Sequence, residues 1–170
     1  QLKKEGLELP DYYQIFGDIE KSIDQVHRDG SLKKIVTEDF AKYVVIEPLV
    51  AKMLELYKNY GKKLMIITNS DFNYTKKLLD YALNPYFSKY KNWQEVFDVV
   101  ITLADKPAFF QRPARFLHIT NDSGEMENHL GSVSKGLFQG GWFEKLQQDL
   151  GVHSQEILYL GDHIYGDVVS

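Results

Sequence analysis

Three short, largely apolar runs constrain the fold of this chain more than any other feature. They are residues 64–67, 97–102 and 157–160. Each follows a segment with helical character, and runs of this kind are typical of strands in a parallel sheet that is buried on both faces. Strands that alternate with helices predict an α/β fold with a parallel sheet.

Helical segments separate these runs. Between Asp11 and Gly30, apolar residues recur at alternating steps of four and three, which is the spacing of an amphipathic helix. Glycine and proline residues that mark helix ends predict further helices over residues 48–61, 73–83 and 140–151. The chain therefore contains enough helix to cover a sheet.

The pattern divides the chain into two parts. Residues 1–47 are predicted to form a helical segment and linker, and residues 48–170 are predicted to form an α/β core. Within the core, residues 116–124 predict a hairpin-like excursion that ends on the turn signal Asn-Asp-Ser-Gly.

The composition favours an ordinary globular protein and excludes several classes. Apolar residues make up 44% of the chain and charged residues 26%. The chain has no cysteine, which excludes disulfides and thiolate chemistry and fits a cytoplasmic location. No apolar run is long enough to span a membrane. The net charge of -4 gives no reason to expect a nucleic-acid polymer as a partner, so any phosphate ligand must meet local cations.

Polar residues follow each of the three predicted strands. Thr68, Asn69 and Ser70 follow the first strand, Lys106 follows the second, and Asp162 follows the third. In open α/β sheets, ligands bind outside the carboxyl ends of the strands, so these groups are expected to converge. Phosphoryl transfer needs hydrogen-bond donors, a cation and carboxylates that hold magnesium, and these residues supply those groups.

The same segments resemble motifs two, three and four of haloacid dehalogenase-type phosphatases. The matching segments are Thr68-Asn69-Ser70-Asp71, Lys106-Pro107 with Phe109-Phe110, and Gly161-Asp162-His163-Ile164-Tyr165-Gly166-Asp167. The first and last segments, together with residues 26–33 and 42–45, resemble more narrowly the cytosolic purine 5'-nucleotidases that favour IMP and GMP. The resemblance implies a Rossmann-like core with a parallel sheet and a partial, mostly helical cap at the amino end.

The resemblance also implies an activity. The family removes the phosphate of purine nucleoside monophosphates through an aspartyl-phosphate with Mg²⁺, and it can pass the phosphoryl group to a nucleoside. Its nucleophile is an aspartate in an Asp-x-Asp motif after the first strand, and no such motif is present here. We therefore expect an incomplete catalytic domain whose nucleophile lies upstream of Gln1. The family often forms oligomers, but the sequence leaves the oligomeric state open.

Two aspartates are implied to serve the metal. By resemblance, Asp162 joins the nucleophile in holding magnesium, and Asp167 supports it indirectly or through a water molecule. The alternative for either residue alone is a loop aspartate or a helix cap.

The remaining motif residues are implied to bind the phosphoryl group. Thr68 would donate its hydroxyl to a phosphoryl oxygen, Asn69 and Ser70 would add donors at the rim, and Lys106 would neutralise charge. The alternative for Thr68 is a cap of the following helix, which is compatible with anion binding. The alternative for Lys106 is an ordinary solvated lysine.

Three residues of the amino-terminal part match the family's base-recognition positions. Asp24 and His27 are neighbours on one helical face, and Lys33 follows shortly after. A carboxylate accepts a hydrogen bond from N1–H of a 6-oxopurine, whereas adenine presents an acceptor there, so Asp24 predicts a preference for IMP or GMP. A helix with an ordinary polar face is the alternative. Glu20 stands where the family commonly has an arginine.

Two other functional classes stay open on the residues alone. One is a nucleotide-binding relative without catalysis. The other is a phospho-receiver signalling domain, although such domains are shorter and carry neither a cap helix nor the motif of residues 161–167.

Overall fold

The computed structural model describes residues 11–162 and Asp167 and divides the chain into two compact units between Val44 and Val45. The sequence predicts this division after residue 47. Each unit is described below by itself.

The first unit is helical in its described part. Its helices are α1 (Tyr12–Arg28), α2 (Ser31–Glu38) and α3 (Phe40–Tyr43). The helix predicted between Asp11 and Gly30 is confirmed by α1. Asp11 caps its amino end by accepting a hydrogen bond from Gln14 N at 2.8 Å. Gly30, with φ of 74°, takes the left-handed conformation that ends many helices. The apolar stripe of α1 is exposed, from 38% at Val26 to 92% at Tyr12.

The second unit alternates helices and strands. Its first half contains α4 (Pro48–Asn59), β1 (Met65–Ile67), α5 (Phe72–Ala82), a 3₁₀ turn (Asn84–Tyr86), α6 (Trp93–Val96) and β2 (Val99–Thr102). Its second half contains α7 (Ala108–Gln111), β3 (Phe116–Ile119), β4 (Met126–Asn128), β5 (Gly136–Gly140), α8 (Phe143–Leu150) and a 3₁₀ turn (Ser154–Glu156). None of the helices in the described part of the chain is both long and apolar enough to cross a bilayer.

The sheet is mixed, with the strand order β1-β2-β5-β3-β4. β1, β2 and β5 run parallel, whereas β3 is antiparallel to both β5 and β4. The predicted α/β fold and the predicted hairpin are confirmed. The predicted parallel sheet is found for β1, β2 and β5, whereas β3 and β4 make the sheet as a whole mixed. The reason is the short connection over residues 120–125, because only antiparallel strands can be joined by so tight a turn.

The core lies on both faces of β2, whose four residues are all buried. Val99 and Ile101 pack with Phe109 of α7 and Leu146 of α8. Val100 belongs to a second cluster, formed with residues of α4, α5 and α6. Helices therefore cover both faces of the sheet around β2, which lies between β1 and β5 in the strand order.

Two strand assignments differ from the sequence pattern. Residues 157–160 do not form a strand, and Leu158 and Leu160 are 83% and 82% exposed. Apolar character does not by itself supply a pairing partner, and none of the described strands pairs with this run. By contrast, β5 is missed by the sequence pattern because glycine stands at both of its ends.

Candidate active site

The loops after β1 and β2 are hydrogen-bonded to each other at the carboxyl ends of these parallel strands. Thr68 N donates to Ile101 O at 2.9 Å, and Ala104 N donates to Thr68 O at 3.0 Å. Leu103 N donates to Ser70 O at 2.9 Å. Two of the segments predicted to bind a phosphoryl group therefore lie side by side, at the edge of the sheet where open α/β folds bind ligands.

Lys106 is joined to the first of these loops through the side chain of Asn69. Lys106 N donates to Asn69 Oδ1 at 2.7 Å, and Asn69 Nδ2 donates to Lys106 O at 3.0 Å. The sequence predicts that the Asn69 amide is a donor for the substrate. In the structure, both its oxygen and its nitrogen hydrogen-bond to the main chain of Lys106.

The ammonium group of Lys106 forms a cluster with Tyr159 and Asp167. Lys106 Nζ donates to Asp167 Oδ1 at 2.7 Å and to the Tyr159 hydroxyl at 2.9 Å. The Tyr159 hydroxyl donates to the same Asp167 oxygen at 2.7 Å. The side chains of Lys106 and Asp167 are only 15% and 4% exposed, so this ion pair is shielded from water.

The cluster keeps Lys106 cationic. Burial alone lowers the pKa of Lys106, but hydrogen bonds to Asp167 and Tyr159 outweigh it, and the pKa lies above the ordinary value. Burial raises the pKa of the Tyr159 phenol. Near neutral pH the site therefore holds an ammonium group at Lys106 and a neutral phenol at Tyr159. Sequence reasoning missed Tyr159, because the pattern places it in a buried strand.

The last motif approaches this cluster through Gly161. A side chain at Gly161 would collide with the side chain of Asp167. Asp162 is the next residue and is exposed. The structure thus brings residues 68–70, Lys106, Gly161 and Asp167 together. Asp162 directly follows Gly161 in the chain. The motif residues 163–166 lie outside the described part of the chain.

Thr68 does not cap the helix that follows it. Asp71 caps α5 by accepting a hydrogen bond from Tyr74 N at 2.9 Å, so the alternative role of Thr68 as a helix cap is wrong. The hydroxyl oxygen of Thr68 accepts a hydrogen bond from Ser70 N at 3.1 Å. This contact orients the hydroxyl group, whose role as a phosphoryl donor stays a prediction.

Comparison with known proteins identifies the family. The model of the 5' nucleotidase family matches residues 2–170. The chain belongs to this family. A 5'-nucleotidase domain-containing protein of Dictyostelium discoideum is 33% identical to it over 158 residues. The match covers 91% of this chain and 27% of that protein, so the chain spans about a quarter of the length of this relative.

The predicted base-recognition residues of this 5' nucleotidase family chain lie in its first unit. Asp24 and His27 are exposed on α1, and Lys33 is partly buried in α2. Arg28 Nη2 contacts Asp24 Oδ2 at 3.2 Å, with 81% of the Arg28 side chain and 58% of the Asp24 side chain exposed. An ion pair this exposed contributes at most about 1 kcal/mol, so a ligand could displace Arg28 from Asp24.

The chain offers a carboxylate next to this cluster, and carboxylate oxygens are ligands that magnesium favours. Within residues 11–162 and Asp167, no group of three histidine, aspartate or glutamate side chains is placed to hold a metal ion. Magnesium, however, is usually bound by one or two carboxylates together with phosphate oxygens and water. Asp162 offers an exposed carboxylate of that kind, whereas Asp167 is engaged with Lys106 and Tyr159.

Proposed function

We propose that the full-length protein is a 5'-nucleotidase that dephosphorylates purine nucleoside monophosphates and prefers IMP and GMP to AMP. The observation that carries the proposal is the shielded Lys106 cation, held beside the loop of residues 68–70 at the carboxyl ends of two parallel strands. Membership of the 5' nucleotidase family supports the reaction class.

The proposed site stabilises the charge of a phosphoryl group in transfer. Thr68 donates its hydroxyl to a phosphoryl oxygen, and Asn69 and Ser70 line the same loop. Lys106 neutralises negative charge as the bond to the nucleoside oxygen breaks, because preorganised donors and cations dominate phosphoryl-transfer catalysis. In this proposal an aspartate outside these 170 residues accepts the phosphoryl group, and water or a nucleoside then takes it.

Asp162 would hold a magnesium ion together with the phosphate. When bound, such an ion polarises the phosphoryl oxygens and balances their charge. Asp167 serves this site indirectly, because it fixes the position of the Lys106 ammonium at 2.7 Å.

Tyr159 is expected to hold the Lys106–Asp167 pair in a productive position. Tyr159→Phe removes the hydroxyl that bonds both residues but keeps the ring, which packs edge-on against Phe110 at 5.4 Å. Hydrogen bonds to charged groups contribute about 1.5–3 kcal/mol, so we expect kcat/KM for IMP to fall about tenfold or more. Steady-state kinetics of the full-length protein provide the measurement.

Tyr60→Phe is the matched control for this change. Tyr60 lies in the same unit and is 73% exposed, so its hydroxyl should not affect the reaction. Equal kinetics for the Tyr159→Phe variant and the Tyr60→Phe variant would show that the Tyr159 hydroxyl has no role in positioning.

The proposed base preference depends on Asp24. Its carboxylate accepts a hydrogen bond from N1–H of a 6-oxopurine, whereas AMP places an acceptor against it. In the proposed complex the base covers this carboxylate, and a covered polar group left unpaired costs about 1–3 kcal/mol, which corresponds to about 5- to 150-fold in kcat/KM. His27, which lies three residues along the same helix, and Lys33 would line the same subsite.

The experiment compares IMP, AMP and a small phosphate ester that has no base. In the full-length protein, Asp24→Asn should narrow the preference for IMP over AMP and leave turnover of the ester unchanged. Asp18→Asn is the control, because it removes one exposed carboxylate from the same helix. If all three substrates decline in step, Asp24 supports the fold rather than reading the base. If the wild-type protein hydrolyses none of them, a nucleotide-binding relative without catalysis replaces the proposal.

A further inference from the structure

The side chain of Asn69 makes a paired contact with one residue of the neighbouring loop. Its oxygen accepts a hydrogen bond from Lys106 N at 2.7 Å, and its nitrogen donates to Lys106 O at 3.0 Å. An amide that pairs with a main-chain N–H and C=O in this way fixes both the position and the orientation of that residue. The contact joins residues 37 positions apart in the chain.

The loop that carries Lys106 needs such a contact. Leu103 and Asp105 have φ angles of 42° and 60°, a region that residues with a side chain seldom occupy. Backbone of this kind persists only where its surroundings hold it in place. The hydrogen bonds of Leu103 N and Ala104 N to the neighbouring loop hold the start of the turn, and Asn69 holds its end at Lys106.

Lys106 then extends from this fixed backbone toward the shielded cluster. Its side chain is 15% exposed, and its ammonium group lies 2.7 Å from Asp167 Oδ1 and 2.9 Å from the Tyr159 hydroxyl. A shift of the Lys106 backbone would move the ammonium away from these partners. The backbone contact with Asn69 and the contacts at the ammonium therefore fix the two ends of one side chain.

We infer that Asn69 is a positioning residue, which acts on the reaction by holding the main chain of Lys106 rather than by binding the phosphoryl group. This inference rests on the proposed function. It differs from the expectation drawn from the sequence, in which the Asn69 amide is a donor to the substrate. The amide oxygen and one of the two amide N–H groups of Asn69 are already hydrogen-bonded to the main chain of Lys106.

A double-mutant cycle in the full-length protein separates the two roles. In the wild-type background, Asn69→Ala should lower kcat/KM for IMP by about 10- to 100-fold, because small displacements of a catalytic group have effects of this size. In a Lys106→Met background, the same change should alter kcat/KM by no more than about twofold, the usual error of additivity. An equal factor in both backgrounds, or no loss in the wild type, would overturn the inference.

Hydrogen exchange supplies a readout that does not depend on activity. The Lys106 amide should exchange faster in the Asn69→Ala variant than in the wild type, since its acceptor is gone. Asn73→Ala is the control, because it removes an exposed amide side chain from the first turn of α5 and should change neither readout. An unchanged exchange rate at Lys106 overturns this inference, whereas a wild-type protein that hydrolyses no nucleotide overturns the proposed function.

Discussion

Replacing Lys106 with methionine in the full-length protein is expected to lower kcat/KM for IMP by about 10²- to 10³-fold, the usual effect of removing a preorganised charge-stabilising group. Methionine fills much of the space of the lysine stem but supplies no charge and no hydrogen-bond donor. The Lys106 pKa lies above its ordinary value, so the wild-type protein keeps this cation throughout the neutral range. Steady-state kinetics with IMP and with an ester that has no base should show similar losses.

The same change is expected to destabilise the protein. Asp167, whose side chain is 4% exposed, would lose its ammonium partner while remaining largely shielded from water. Removing one partner of a buried pair costs about 3 kcal/mol or more. A lower apparent Tm in the full-length protein, measured by thermal unfolding, is therefore the second expected result.

Lys58 offers a control that separates stability from catalysis. Lys58 Nζ contacts Asp98 at 2.8 Å, and the two side chains are 18% and 22% exposed, so the lysine is shielded about as much as Lys106 and the carboxylate less than Asp167. Asp98 lies just before β2 and accepts a hydrogen bond from Leu64 N just before β1, at the amino ends of these strands. Lys58→Met should lower the Tm but leave kcat/KM within about twofold. Similar kinetic losses in both variants would place Lys106 outside the chemistry.

The helices and the parallel strands β1 and β2 could be predicted from the sequence because their signals are local. The cap at Asp11, proline at the start of α4 and the left-handed glycine at position 30 each act within one helical turn. The run over residues 157–160 shows the limit of such reasoning. Its residues are apolar, but a strand also needs a partner in another part of the chain, and a local pattern does not encode one.

The candidate site could be predicted in outline but not in its hydrogen bonding. A general rule of α/β sheets sufficed to expect Thr68 and Lys106 at the same edge, and the two loops are indeed hydrogen-bonded to each other. The rule does not specify side-chain partners. The sequence pattern therefore does not predict the hydrogen bonds of Tyr159 and Asn69 to Lys106, because these contacts join residues distant in sequence.

The metal assignment leads to the other large expected effect. Asp162→Asn in the full-length protein should weaken the apparent affinity for Mg²⁺ by about 100-fold or more. Changing residues that only support metal ligands typically costs 10- to 100-fold in affinity, so loss of a direct carboxylate ligand should reach at least the upper end of that range. An amide oxygen lacks the negative charge that a hard divalent cation favours. Because Asp162 is exposed, the fold should be retained.

A magnesium titration of kcat/KM distinguishes a metal ligand from a merely structural aspartate. If Asp162 binds magnesium, the loss in the Asp162→Asn variant should be severe at limiting Mg²⁺ and smaller at saturating Mg²⁺, since a weakened site can still be filled by mass action. Asp122→Asn is the control, because it removes another exposed carboxylate of the same unit. Asp122 accepts one long hydrogen bond, of 3.2 Å, from the Gln94 side chain. Its titration should follow the wild type. A loss in the Asp162→Asn variant that is the same at every Mg²⁺ concentration, or full activity at limiting Mg²⁺, would exclude Asp162 as a magnesium ligand.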